Sequence, residues 1–408
     1  MQKNLKIKFR ALLSPPDAVI ENGELIVESG KIVEVSPHST VAASDNCLDL
    51  SDHLILPGFV NAHCHLSLSA LHGRAPKDES FTGWVRALLA ENAVLSDGER
   101  IRAIRSGATT LLRSGVTTLA DYLPHAGLQA EYAALPLRQV LFLETLGFKK
   151  NAVKETLERV EAIFAKQNPG DPLLTLGLAP HAPYSVAPEL FRELKRLASR
   201  FGVPFSCHVA EFPEEVRFLK EGGGELQKFL EERGVYDNDW KPPGNSPVKY
   251  LDEMGVLDSL VAVHLNHIED DLDLLALRNV RAVFCPASTR WFGRKQYMPV
   301  RQLLDLGVTV ALGTDSLASN ASLNFLCELR IAEEMLPQVT RLEILQMATR
   351  GGAKALDLPA GTIAPGRAAD IIGFRIDKTP TAWVDVAFAA HRETVDFAMV
   401  GGKVVFAS

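Results

Sequence analysis

Leu54-Ile55-Leu56-Pro57-Gly58-Phe59-Val60-Asn61-Ala62-His63-Cys64-His65 is an apolar run that ends in two imidazoles. Residues two apart on an extended chain project to the same face, so His63 and His65 point the same way. Reading this run as a strand over Leu54–His63, seven more of the same kind follow: Val116–Asp121, Arg138–Glu144, Leu174–His181, Pro204–His208, Leu260–His264, Val280–Cys285 and Val308–Asp315. Stretches of helical periodicity lie between them, among them Asn151–Gln167, Pro188–Arg200, Glu214–Arg233 and Val248–Met254. Alternating strands and helices argue for a parallel sheet. Eight such units over roughly 260 residues match the arithmetic of an α/β fold of the (β/α)8 TIM-barrel type.

Outward from this middle, both ends change character. Residues 1–56 read as short strands at Lys6–Leu12, Ala18–Ile20, Glu24–Glu28, Lys31–Val35 and Cys47–Leu50, with turn pairs at Asn22-Gly23 and Ser29-Gly30. The other end offers Gly361–Ile363, Asp370–Arg375 and Asp396–Val405, the last with a hairpin turn at Gly401-Gly402. The expected organisation is a small β-sandwich built from residues 1–56 plus 358–408, around a barrel of residues 57–357.

Composition narrows the function classes. With 408 residues, 47% of them hydrophobic, the chain can bury a large core. No apolar run approaches the roughly 20 residues that cross a bilayer. The start, Met1 to Phe9, alternates polar and apolar residues like a strand and lacks the apolar centre of a signal peptide. A net charge of −7 has the wrong sign for phosphate-backbone binding. The five cysteines are scattered, with no CxxC pair. These features predict a soluble, cytoplasmic protein whose partners are a small-molecule substrate and water, with no nucleic acid and no membrane. They leave homo-oligomerisation open.

In barrels of this kind the chemistry sits at the C-terminal ends of the strands. Here those ends carry His63 and His65, Asp121, Glu144, His181, His208, His264 and Asp315. Taken singly, each has an ordinary explanation: a lone buried histidine is usually a hydrogen-bonded core residue, and an aspartate after Leu312-Gly313-Thr314 suits a turn or helix cap. Taken together, three imidazoles and a carboxylate at one end of one fold suit a borderline divalent ion, zinc first and iron second. His63, His65, His208 and Asp315 are therefore the expected metal ligands. Glu211, three residues after His208, is placed to move a proton without being a ligand. His264 and Asp315 could orient or deprotonate the water, and His181 could donate to the substrate. His38, His53, His125 and His391 read as surface or linker residues.

By these segments the chain resembles the amidohydrolase superfamily, in particular the branch of methylthioadenosine/S-adenosylhomocysteine deaminases, aminodeoxyfutalosine deaminases and triazine chlorohydrolases. The resemblance runs through Leu56 to His65, Gly115-Val116-Thr117-Thr118, Pro180-His181-Ala182-Pro183-Tyr184, His208-Val209-Ala210-Glu211, His264 to His267, Leu312 to Asn320 and Ala360 to Asp370. It implies one metal, usually zinc and sometimes iron, on His63, His65, His208 and Asp315. It also implies proton handling by Glu211 and His264, and a substrate contact from His181. Binuclear relatives carry a metal-bridging carboxylated lysine at the end of the fourth barrel strand. This chain has His181 there and no lysine between Leu173 and Ser185, so a mononuclear site is expected.

Two mouth loops depart from the nucleoside deaminases. The usual Asn-Pro-x-Ser-Asn becomes Cys285-Pro286-Ala287-Ser288-Thr289-Arg290-Trp291, and loop 1, His65–Trp84, has its own sequence. Trp84, Arg74, Ser288 and Arg290 are the substrate-binding candidates they offer. Arg86, Arg294 and Lys295 join the two arginines in a possible clamp for a substrate carboxylate.

The expected reaction is hydrolytic deamination of an aromatic amine, most plausibly an adenine-containing nucleoside of the aminodeoxyfutalosine, S-adenosylhomocysteine or methylthioadenosine type. A metal-activated water attacks the amine-bearing carbon, Glu211 carries the proton to the ring nitrogen, and ammonia leaves. The alternatives at the same site are triazine dechlorination and cyclic amide hydrolysis. A catalytically inactive barrel serving as a binding protein is the remaining one, and the intact ligand set argues against it.

Overall fold

The computed structural model describes residues 4–15, 19–37, 46–78, 80–123, 126–166, 171–268 and 270–408. The expected positions Ala18, His38, His125 and Gln167 lie outside the described residues. Ahead of the imidazole pair come β1 (Leu5–Leu12), β2 (Ile20–Glu28), β3 (Lys31–Ser36) and β4 (Cys47–Pro57).

The apolar runs of the middle form two four-stranded sheets. β5 (Phe59–Cys64), β6 (Val116–Leu123), β7 (Arg138–Thr145) and β8 (Leu174–Pro180) make one, in that order; β9 (Ser206–Val209), β10 (Val261–His264), β11 (Arg281–Phe284) and β12 (Thr309–Leu312) make the other. Every pairing within them is parallel. Single bridges join their outer strands: Leu178 to Phe205 on one side, Cys64 to Asp315 on the other. Leu178 N–H donates to the Pro204 carbonyl at 3.0 Å, and Thr314 N–H to the His63 carbonyl at 3.0 Å.

The helix Pro188–Phe201 illustrates how the intervening segments pack. Proline opens it, its buried residues Leu190, Phe191, Leu194, Leu197 and Ala198 recur at helical spacing, and Gly202 ends it at φ 64°. The expected helix Glu214–Arg233 is instead two, Pro213–Glu221 and Gly224–Glu232, divided by the triple-glycine run.

The expected strand Leu54–His63 also divides. Leu54 to Pro57 extend β4 and pair with β13 (Ile371–Arg375), while Phe59 to Cys64 form β5 beside β6. Gly58 marks the change of sheet, because a Cβ there would lie 2.0 Å from Thr117 Oγ1. After β13 come β14 (Phe397–Val400) and β15 (Lys403–Ala407), which turn at Gly401-Gly402 as expected; Gly361–Ile363 forms no strand.

The two chain ends meet in one seven-stranded sheet, ordered β15-β14-β13-β4-β1-β2-β3, with only β1 and β4 parallel. It has an apolar cluster of its own, including Ile7, Phe9, Leu25, Ile55, Ile371 and Phe397. Among the described residues no helix is long and apolar enough to cross a membrane. His53, expected at the surface, is buried on β4, whereas His391 is exposed.

Candidate metal centre and active site

His63 ends its strand with a fully buried ring, and neither of its nitrogens has a hydrogen-bond partner among the described residues. Two unsatisfied buried nitrogens are costly unless something outside the protein takes a lone pair. The imidazoles of His65 and His208 stack at 5.4 Å, with their Nε2 atoms 3.3 Å apart. Two nitrogens bound ~2.0–2.1 Å from one tetrahedral ion stand roughly 3.3 Å apart, the same edge length. His63 Nε2 is 3.8 Å from Asp315 Oδ1. One ligand atom from each of His63, His65 and Asp315 falls within 4.8 Å of the others, as do those of His63, His208 and His264. The four expected ligands are thus brought together, and their donor set fits a divalent ion.

Protonation favours the same reading. Burial, reinforced by the neighbouring imidazoles, holds His63 well below the usual histidine range. Burial takes His65 down to about 4 and also lowers His208. Neutral rings keep the lone pairs that a metal needs. His208 Nδ1 lies 2.8 Å from the His181 carbonyl, so it carries the proton and leaves Nε2 for the ion.

Asp315 is fixed from three sides. Its Oδ2 accepts from the hydroxyls of Ser288 at 2.9 Å and Ser319 at 2.8 Å, and Oδ1 accepts the Ser316 N–H at 2.9 Å. Ser288 was expected to touch substrate; fully buried, it holds Asp315 instead.

Glu211 stands beside this cluster. Its Oε1 lies 3.5 Å from His264 Nε2 and accepts from Arg294 Nη2 at 2.8 Å. Burial pushes its carboxyl up to about 7, against the lowering effect of Arg294. Glu215 holds the loop that presents it, taking the Ala210 and Glu211 N–H groups, each at 3.0 Å. Ala210 sits at φ 51°, and two amides anchored on one carboxylate sustain that turn. Glu215 went unnoticed in the sequence because a glutamate in the first turn of a helix is ordinary. Burial drives His264 well below the usual range, leaving it neutral as well.

His181 lies at the end of β8 with its ring 5.1 Å from that of His208. The Ser185 hydroxyl donates to the Ala182 carbonyl at 3.1 Å and lies 2.7 Å from His181 Nδ1. This contact anchors the His181 ring through Nδ1. Glu144 completes the floor, with a ligand oxygen within 4.8 Å of the His65 and His208 nitrogens. Burial raises its carboxyl to about 7.

The mouth differs most from expectation. Trp84 packs on Phe292 at 4.9 Å and Trp291 at 6.4 Å, and its buried Nε1 has no hydrogen-bond partner among the described residues. Arg74 instead pairs with Glu99, Arg86 with Glu232 and Arg290 with Glu334, all on the surface. Long cationic side chains reach the nearest carboxylate, which sequence spacing does not reveal. The expected carboxylate clamp is therefore not assembled from them. Arg294 is the clamp member that turns inward.

Fold and site define a class: an α/β protein whose parallel strands gather one hydrolytic metal centre at their C-terminal ends. The chain belongs to the amidohydrolase family, whose model matches residues 54–405. It is 31% identical to the 5-methylthioadenosine/S-adenosylhomocysteine deaminase of Pyrococcus furiosus, over 98% of this chain and 94% of that protein. It is 30% identical to the 5'-deoxyadenosine deaminase of Methanopyrus kandleri, over 96% and 91% of the two chains. Among solved structures, an adenosine deaminase from Xanthomonas campestris with bound zinc superposes with a TM-score of 0.85, at 25% identity, over 99% of this chain and 93% of that one.

Proposed function

We propose that this protein is a metal-dependent hydrolase acting on a C–N bond, a deaminase of adenine-type nucleosides. The observation that carries the reading is the convergence of His63, His65, His208 and Asp315 on one point, with Glu211 beside it. The relatives named above, at 31% and 30% identity, are both nucleoside deaminases, which favours ring deamination over triazine dechlorination or cyclic amide hydrolysis.

His63, His65, His208 and Asp315 would hold one divalent ion, zinc first and iron second, which lowers the pKa of water and polarises it. Glu211, poised near neutral pH, takes a proton from the attacking water and delivers it to the ring nitrogen next to the amine-bearing carbon. His264, neutral and 3.5 Å from Glu211, orients the water. Asp315, pinned by Ser288 and Ser319, keeps its geometry as charge moves. His181, anchored through Nδ1 on Ser185, turns Nε2 to the substrate. The new C–O bond forms, the C–N bond breaks, and the exocyclic nitrogen leaves as ammonia with a carbonyl in its place. Trp84 lines the mouth against the rest of the nucleoside.

The bridged seams between the two parallel sheets support a closed (β/α)8 barrel of residues 57–357. The separate apolar cluster of the terminal sheet supports a β-sandwich of residues 1–56 and 358–408. The net charge of −7 fits a cytoplasmic protein that binds no nucleic acid.

The test is ammonia release by zinc-loaded protein over adenosine, 5'-deoxyadenosine, methylthioadenosine, S-adenosylhomocysteine and aminodeoxyfutalosine, with triazines and cyclic amides in parallel. Turnover of an adenine nucleoside at one metal per chain is expected. Hydrolysis confined to triazines or cyclic amides would overturn the reading.

A further inference from the structure

Arg294 enters the mouth on the segment that follows β11, and its guanidinium lies in the corner formed by Phe212 and Phe292, 4.3 and 4.4 Å from their centroids, the two rings packing edge to face at 5.6 Å. Its side chain is 8% exposed. Nη2 donates to Glu211 Oε1 at 2.8 Å, but Nη1 is buried with no hydrogen-bond partner among the described residues. The two aromatic rings attract the charge of the guanidinium but offer its N–H groups no oxygen or nitrogen acceptor. Phe292 also packs on Trp84, whose buried indole N–H likewise has no partner among the described residues. Two unmet donors on one aromatic cluster, next to a carboxylate poised for proton transfer, call for acceptor atoms that the protein does not supply.

We infer that Arg294 is a positioning residue for the deaminase reaction: Nη2 fixes Glu211 while Nη1 grips an acceptor atom of the substrate's heterocycle. One rigid planar group then sets the carboxylate relative to the ring that it protonates. Holding Oε1 assigns proton transfer to Oε2. Lysine cannot replace this arrangement, because its ammonium is a point donor without the fork. The inference rests on the deaminase reading, since it takes the acceptor to belong to a heterocyclic substrate.

The test uses the full zinc-loaded chain with the best nucleoside of the panel. Arg294→Ala should lower kcat/KM by about 10- to 150-fold, the range for a lost charge-assisted hydrogen bond, with part of the loss in kcat. One metal per chain and an unchanged melting temperature should accompany it. Arg294→Lys should recover less than half of the loss on a logarithmic scale. Guanidinium chloride at low, non-denaturing concentration should raise kcat of Arg294→Ala by filling the space the side chain leaves against the two rings, and should leave Glu211→Gln unchanged. A kcat/KM of Arg294→Ala within about threefold of wild type overturns the inference, as does full recovery by lysine. Should the alanine chain fail to fold, Arg294→Lys, which keeps the charge against the two rings, decides alone: near-wild-type kinetics overturn the proposal. Wild-type protein inactive on every nucleoside would strike the deaminase reading; active wild type with indifferent Arg294 variants would strike this inference alone.

Discussion

Arg138 and Arg294 are both buried against carboxylates, at opposite ends of the parallel strands. Arg138, first residue of β7, meets Asp370 through Nε–Oδ2 at 2.6 Å and Nη2–Oδ1 at 3.2 Å. Its Nη1 donates to the Pro172 carbonyl at 3.2 Å, and the Gly401 N–H adds 2.7 Å to Asp370 Oδ1. With 9% and 0% of the two side chains exposed, every nitrogen of this guanidinium has an acceptor. Arg294 and Glu211 are almost as enclosed, yet a single nitrogen joins them and Nη1 has no acceptor among the described residues. The first pair fastens a strand of the parallel sheet to the terminal sheet. The second is left incomplete where a ligand would finish it. Burial alone therefore does not separate structural from functional ion pairs; the count of satisfied donors does.

Four substitutions sharpen or break that contrast. The largest effect is expected of Glu211→Gln, which should lower kcat by about 10²–10⁴ while leaving the metal content at one per chain. Near-normal kcat would remove Glu211 from the proton path and erase the functional half of the comparison. Next, Asp370→Asn leaves Arg138 with an uncompensated buried charge and should cost about 3–5 kcal/mol in denaturant unfolding. Its kcat per folded, metal-loaded chain should match wild type. A loss of kcat without a loss of stability would show that the pair at the strand starts also reaches the chemistry. The smallest effect is expected of Arg74→Gln and Arg290→Gln, whose partners Glu99 and Glu334 lie on the surface. Each should change kcat/KM by less than about threefold. A tenfold loss specific to carboxylate-bearing nucleosides would restore the clamp that the sequence suggested.

Much of the frame was legible before any coordinates. All eight apolar runs of the middle contain strands, and β5, β7, β8, β9 and β10 end at or beside the residues that the polar strand ends marked. The expected ligands do converge. Residues read less well wherever their role depends on what lies across the fold. Ser288 holds Asp315, 27 positions away, and the His181 ring is anchored by the Ser185 hydroxyl. Leu54–His63 looked like one strand because its apolar pattern is unbroken, and only the approach of Thr117 to Gly58 assigns its halves to two sheets.

The sequence by itself determined the alternation of strands and helices, the union of the chain ends and the side chains that gather at the candidate metal centre. These follow from short-range properties: apolar periodicity, turn residues and polar groups placed where a strand leaves the core. Only the tertiary structure decided which cations face the surface and which one turns inward. An arginine side chain is long enough to reach partners in several directions, and the 83 residues between Glu211 and Arg294 say nothing of their 2.8 Å contact until the sheets bring them together.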